Sequence, residues 1–148
     1  MSEETQVQSP PSITIEENKY LIEDLSDRSK LFVSDLYRTS MEYNELYRTY
    51  NQTLTLTSTY SSGLKAEVEK VGLPEKSDES DSSITIDDKS YDGSDLPDSV
   101  KAYISELVRV NNNKSTIEFR LRQLDAARNT YISSIKEDIV NTDVQSVD

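Results

Sequence analysis

Residues 12–30, SITIEENKYLIEDLSDRSK, return at 83–101 as SITIDDKSYDGSDLPDSVK. The match is not confined to the opening. At a fixed offset of 71 and without gaps, Ser12, Ile13, Thr14 and Ile15 fall on Ser83, Ile84, Thr85 and Ile86. Tyr20 falls on Tyr91, Leu25 on Leu96, Leu36 on Leu107 and Arg38 on Arg109. Far downstream Tyr60, Ser62 and Lys65 still fall on Tyr131, Ser133 and Lys136. Register held over so long a stretch marks a tandem duplication, and a repeated unit is one that cannot bury its apolar face alone.

Each copy reads as the same unit. SITI alternates β-branched and polar residues, a polar turn follows, and a second short strand carries the tyrosine; this is a small β-hairpin. A helix start comes next. Ser26 with Asp27 behind it has the form of an N-cap with an acid in the first turn, and Pro97 takes the Ser26 place in the second copy. Beyond it, Val100, Ile104, Leu107, Ile117, Leu121, Leu124, Tyr131, Ile135 and Ile139 step by threes and fours. Leu36, Tyr43, Leu46, Tyr50, Tyr60, Leu64 and Val68 do so in the first copy. A narrow stripe near a 3.5-residue period is the seam of a coiled-coil-like pair.

Two stretches carry signals against unbroken helices. Asn111, Asn112 and Asn113 could form a turn, but their counterparts Ser40, Met41 and Glu42 carry no turn signal. TLTLTSTY, 53–60, alternates like a strand, whereas its counterpart LDAARNTY is helical in character. The repeat favours continuity at both, and a break at either stays open.

The expected fold is therefore mainly α with small β-hairpins: a tandem repeat of β-hairpin plus long helix. A helix of roughly 43 residues is about 65 Å long. The part of the connection not folded into a hairpin reaches at most about 45 Å, so a parallel return is out of range and the helices pack antiparallel, with a pseudo-two-fold between copies. The expected organisation is a disordered tail at 1–11, repeat 1 at 12–70, an acidic linker at 71–82, repeat 2 at 83–140 and a disordered tail at 141–148.

Composition narrows the chemistry. The apolar fraction of 34% is lean for one large core and adequate for thin helix seams. There is no Cys and no His, which removes the thiol nucleophile, the usual zinc ligands and the commonest general base together. Three glycines leave little for phosphate-cradling loops. Asp88, Ser90, Asp92 and Gly93 resemble the start of a calcium loop, but Ser99 stands where a bidentate Glu is needed, so a turn and helix start is the better reading. No enzyme, metal or cofactor is expected. A net charge of −12 argues against nucleic acid or an anionic membrane surface as the main partner. Neither a spanning segment nor a signal peptide is legible.

Two side-chain sets remain candidates for function. Tyr43, Tyr47 and Tyr50 share one helix face, either as seam packing with phenols at the solvent edge or as an exposed aromatic strip for a protein partner. Tyr47 is the best interface candidate because its counterpart is Glu118, a surface residue type. Arg120, Arg122 and Arg128 form a basic strip, read first as intrahelical and cross-helix pairs.

The opening of repeat 2, its Asp95-Leu96 helix start and the late run Ala127, Arg128, Asn129, Tyr131 resemble an uncharacterised family of short cyanobacterial and cyanophage proteins. That family's strand pair is of the type I-T-I-D-G-K-x-Y, and its long helix carries T-A-R-N-A-Y near the end. Repeat 1 keeps the opening and Tyr60 but lacks the Ala-Arg-Asn. The resemblance implies a phage or cyanobacterial setting, in the virion or the host cytoplasm, and brings no catalytic residue with it. The functional expectation is a non-enzymatic helical structural or adaptor protein that binds other proteins, such as a virion or assembly component. The alternative is a small acidic phage-encoded regulator or inhibitor of a host enzyme, and self-association into a homo-oligomer is a third.

Overall fold

In the computed structural model, which describes residues 9–75 and 83–147, the elements follow the repeat. Strands β1 (Ser12–Ile15) and β2 (Asn18–Leu21) form an antiparallel hairpin, and a 3-10 turn at Ile22–Asp24 leads into helix α1 (Asp27–Val71). Strands β3 (Ser83–Ile86) and β4 (Lys89–Asp92), a 3-10 turn at Gly93–Asp95 and helix α2 (Asp98–Thr142) repeat the order. The two long helices pack against each other, each preceded by its hairpin.

Both helices are unbroken, so neither alternative break occurs. The strand-like threonines join the helix because their hydroxyls donate back to the carbonyl four residues earlier. Thr53 reaches the Thr49 oxygen at 2.9 Å, Thr55 that of Asn51 at 3.2 Å, Thr57 that of Thr53 at 2.9 Å and Thr59 that of Thr55 at 3.0 Å. Each side chain thus satisfies itself locally, and tertiary packing outweighs a β preference that is weak to begin with.

The hairpin turns are tight and left-handed. Ile15 pairs with Asn18 across Glu16 (φ 48°) and Glu17 (φ 69°), and Ile86 pairs with Lys89 across Asp87 (φ 51°) and Asp88 (φ 62°). Two consecutive positive φ values are what a two-residue hairpin loop requires to match strand twist, and acidic side chains bear them here instead of Asn-Gly. In both copies a helix lysine meets the first turn acid. Lys136 pairs with Glu16, and Lys65 with Asp87 at 2.9 Å.

The chain divides into two compact units, and each draws on both repeats. The first takes the described residues up to Glu45 and those from Leu121 onward; the second runs from Leu46 to Arg120. In the first unit, hairpin 1 and the start of α1 close over the end of α2. Ile15, Leu25, Ile135 and Ile139 are its buried centre, flanked by Ile13, Tyr20, Phe32, Val33, Leu36, Ile132 and Val144. In the second unit, hairpin 2 and the start of α2 close over the end of α1. Leu64, Val68, Tyr91, Leu96 and Val100 are its buried centre, with Leu73, Ile84, Ile86, Tyr103, Ile104 and Leu107 around them. Within each unit the α1 and α2 segments run antiparallel, as the reach of the connection requires.

Both helices end in the same way. Gly72 (φ 64°) and Asp143 (φ 54°) take the left-handed position just past the helix. The Leu73 and Val144 amides then bond back to the Val68 and Ile139 carbonyls at 3.3 and 3.2 Å. This is the Schellman arrangement, which satisfies the last carbonyls and turns an apolar residue inward. It also corrects the expectation of a disordered tail at 141–148. Thr142 ends α2, Val144 packs into the first core, and Val147 bridges to Lys19 with its amide 2.7 Å from the Lys19 carbonyl. In the second unit Glu75 bridges to Tyr91 on the corresponding strand. Each hairpin is thereby extended, on its second strand, by the chain leaving the other repeat's helix. Residues 1–8 of the expected N-terminal tail and 76–82 of the expected linker lie outside the described residues.

Candidate partner-binding surface

The three tyrosines on one face of α1 fall in two environments. Tyr43 belongs to the first unit and is half-buried. The Arg128 guanidinium lies over its ring, 4.3 Å from the centroid, while also bonding Asp125 at 3.2 Å. Stacking of a guanidinium on an aromatic face is a favourable cation–π contact. Arg128 therefore makes both the intrahelical and the cross-helix pairing read from the sequence. The basic strip was legible in the residues; that a tyrosine would be one of its partners was not.

Tyr47 and Tyr50 belong to the second unit. Tyr50 is half-buried and donates its hydroxyl to Glu118 Oε1 at 3.1 Å. That bond, with a smaller effect of desolvation and of the nearby negative charge, pushes the Tyr50 hydroxyl above its ordinary pKa. Glu118 is steadied in turn by Lys114, 3.9 Å away on the preceding turn. Tyr47 stacks on Tyr50, with ring centroids 6.4 Å apart and planes 29° from parallel, and stays 50% exposed. The arrangement is a fixed aromatic (Tyr50) carrying an outward one (Tyr47). Both readings of the strip thus have a counterpart: Tyr43 and Tyr50 are engaged by α2, and Tyr47 faces outward.

Other large apolar side chains stand in solvent. Tyr37 (68% exposed) and Met41 (56%) are one helical turn apart in the first unit, and Phe119 (57%) lies on α2 in the second. Sequence periodicity passes over these because they fall off the seam. Their signal is an apolar residue type at a position the stripe leaves outside.

Grooves are shallow. One beside hairpin 2, about 350 Å³, is lined by Ser61, Ser62, Leu64, Thr85, Ile86 and Leu107, with the Lys65–Asp87 pair across it. A polar cluster sits at the start of α1. Ser26 and Ser29 both donate their hydroxyls to Asp138, and the Ser29 amide donates to Ser26 Oγ at 3.1 Å. These two hydroxyl bonds, helped by the Arg28 charge, hold the Asp138 carboxyl below the usual aspartate range. Asp92, one of the two acids of the calcium-like stretch, accepts from the Ser94 amide at 3.0 Å and hydroxyl at 2.6 Å, and so caps the turn before α2. Among the described residues no group of three or more His, Cys, Asp or Glu is placed to hold a metal ion. No described helix is long and apolar enough to cross a membrane.

Comparison with protein-family models, with curated proteins and with solved structures finds no match for this chain.

Proposed function

We propose that this chain is a non-enzymatic structural or adaptor protein that binds another protein through the α1 surface around Tyr47, and that it belongs to a phage particle or its assembly. The observation that carries the binding reading is the half-exposed Tyr47 ring backed by a Tyr50 that Glu118 holds in place. A large aromatic with few rotatable bonds, already immobilised, loses little entropy on binding, which is why such residues dominate interface energetics. The phage setting, whether virion or host cytoplasm, rests on the sequence resemblance alone.

The test is affinity capture of tagged protein from its native or infected cells, in parallel with Tyr47→Ala. Recovery of capsid, tail or assembly proteins with the wild type, and their loss with Tyr47→Ala, supports the reading. Recovery of one host polymerase, nuclease or metabolic enzyme would move the assignment to the acidic inhibitor. Capture that Tyr47→Ala leaves unchanged removes Tyr47 from the interface.

A further inference from the structure

In the second unit β3 pairs with β4, and Glu75 bridges to Tyr91 on the far side of β4, so β3 is the open side of the small sheet. The register sets which groups of β3 face outward. Ile86 and Lys89 close the two-residue turn as a bonded pair, and Ile84 with Tyr91 forms the next one. Thr85 lies between them, with its N–H and C=O directed away from β4. It is exposed, and among the described residues neither group has a partner.

Natural proteins usually block such an edge. The first unit does so. Its outward series runs from Thr14 through Ser12 to Pro10, because Pro11 turns inward to accept from the Ile22 amide at 3.1 Å. Pro10 has no N–H to offer a further strand. In the second copy the two prolines are replaced by Asp81 and Ser82, which lie outside the described residues. The groove beside the edge differs in the same sense. Ser61 is exposed at its wall, whereas the equivalent Ile132 packs against the first core. The hollow of about 350 Å³ lies over Leu64, Ile86 and Leu107. A second of about 180 Å³ shares those residues and extends along β3 to Ile84, Ile104 and Val108, the last 54% exposed.

We propose that the outer edge of β3 takes an extended segment of a partner protein as an added strand, one with apolar side chains at alternate positions and basic residues flanking them. This goes beyond the Tyr47 reading and does not rest on it. The segment's backbone bonds the Thr85 N–H and C=O, and every second side chain faces the helices and enters the hollows. In strand addition the backbone supplies affinity and the pockets choose the side chains. The basic flank follows from charge. A strand laid along β3 runs out past the turn. There Asp87 is paired with Lys65 at 2.9 Å, while Asp88 is exposed and has no ion pair among the described residues. Asp92, Asp95 and Asp98 are exposed nearby in sequence. Their field draws in a basic segment and opposes a second copy of this chain, whose net charge is −12.

The probe is a synthetic peptide of valines alternating with threonines and flanked at both ends by lysines. Its twin carries glutamates in place of the lysines. Each is titrated into isotope-labelled full-length protein and followed by two-dimensional NMR. The expected result is saturable shifts at Thr85 and its neighbours in β3, slowed hydrogen exchange of the Thr85 amide, and binding of the twin weaker by about 10-fold or more. Thr85→Pro removes the outward donor and should weaken binding by about 3- to 10-fold. Ser61→Ile fills the larger hollow as Ile132 does in the first unit, and should weaken it by a similar factor. Both variants are checked for wild-type helical circular dichroism. If Thr85→Pro disturbs the hairpin, Ser61→Ile carries the test, since it changes an exposed helical position.

No shift in β3 at millimolar peptide would overturn the proposal, as would shifts spread over the acidic surface instead of β3. Equal binding of the glutamate twin, or undiminished binding by either folded variant, would do the same. Broadening at Thr85 that grows with protein concentration in the absence of peptide would assign the edge to a second copy, and so overturn it too.

Discussion

Replacing Ile135 by alanine is expected to be among the most damaging apolar truncations in the chain. The side chain is 0% exposed and sits with Ile15, Leu25 and Ile139 at the centre of the first unit. The change deletes three carbon groups, worth about 2.4 kcal/mol of transfer free energy at ~0.8 kcal/mol each. The hole they leave adds to this, because its walls come from a hairpin and two helices that cannot all move in, so the total is about 3–5 kcal/mol. For a chain of this size each kcal/mol shifts the melting temperature by about 2–4 °C, giving a fall of roughly 6–20 °C. Val140, five residues on and 78% exposed, provides the control: Val140→Ala should stay within about 0.5 kcal/mol. Urea unfolding followed by circular dichroism reads both. A loss below about 1 kcal/mol for Ile135→Ala, or equal losses for the two variants, would refute the assignment of Ile135 to the buried seam.

Three further outcomes follow from the structure. Asp138 has its pKa lowered by the Ser26 and Ser29 hydroxyl bonds, so its stabilising contribution is fully present above the unperturbed value of 3.8 and is lost as pH falls through the lower folded value. Wild type should therefore lose more stability than Asp138→Asn on acidification through that window; parallel losses in acid titrations of the two would contradict the contact. Glu17→Gly should stabilise by about 1 kcal/mol because it relieves a left-handed residue at φ 69°, whereas Gly72→Ala should destabilise by a similar amount at φ 64°; melting curves that move in the same direction would contradict the turn geometry. Thr55→Ala and Thr59→Ala, both exposed within α1, should each raise stability by a few tenths of a kcal/mol through helix propensity; a loss of 1 kcal/mol or more in urea unfolding would mean that these hydroxyls do more than bond their own helix.

The aromatic face of α1 shows how much of the candidate site was legible. Spacing alone put Tyr43, Tyr47 and Tyr50 on one face, and the counterpart Glu118 marked Tyr47 as the outward one. It could not say that Arg128 would cover Tyr43 or that Glu118 would receive the Tyr50 hydroxyl, since those partners arrive from α2. The Ser26–Ser29–Asp138 cluster was illegible for the same reason. Ser26 read as an N-cap, which it is, but its second partner lies 112 residues away.

The sequence by itself determined the unit and its parts. The offset of 71 established the duplication, the alternation in SITI the hairpins, and the threes and fours the stripe that carries Leu64, Val68, Leu124, Ile135 and Ile139. These are local periodicities, set by how side chains leave a strand or a helix, and they survive without knowledge of the fold. Tertiary structure decided what closes on what. It placed each hairpin on the other repeat's helix end, drew Val144 and Val147 out of an expected tail, and buried Val110, which falls outside the stripe read from sequence. Those outcomes depend on where a chain returns after many residues. Burial is a property of that return, and no local period encodes it.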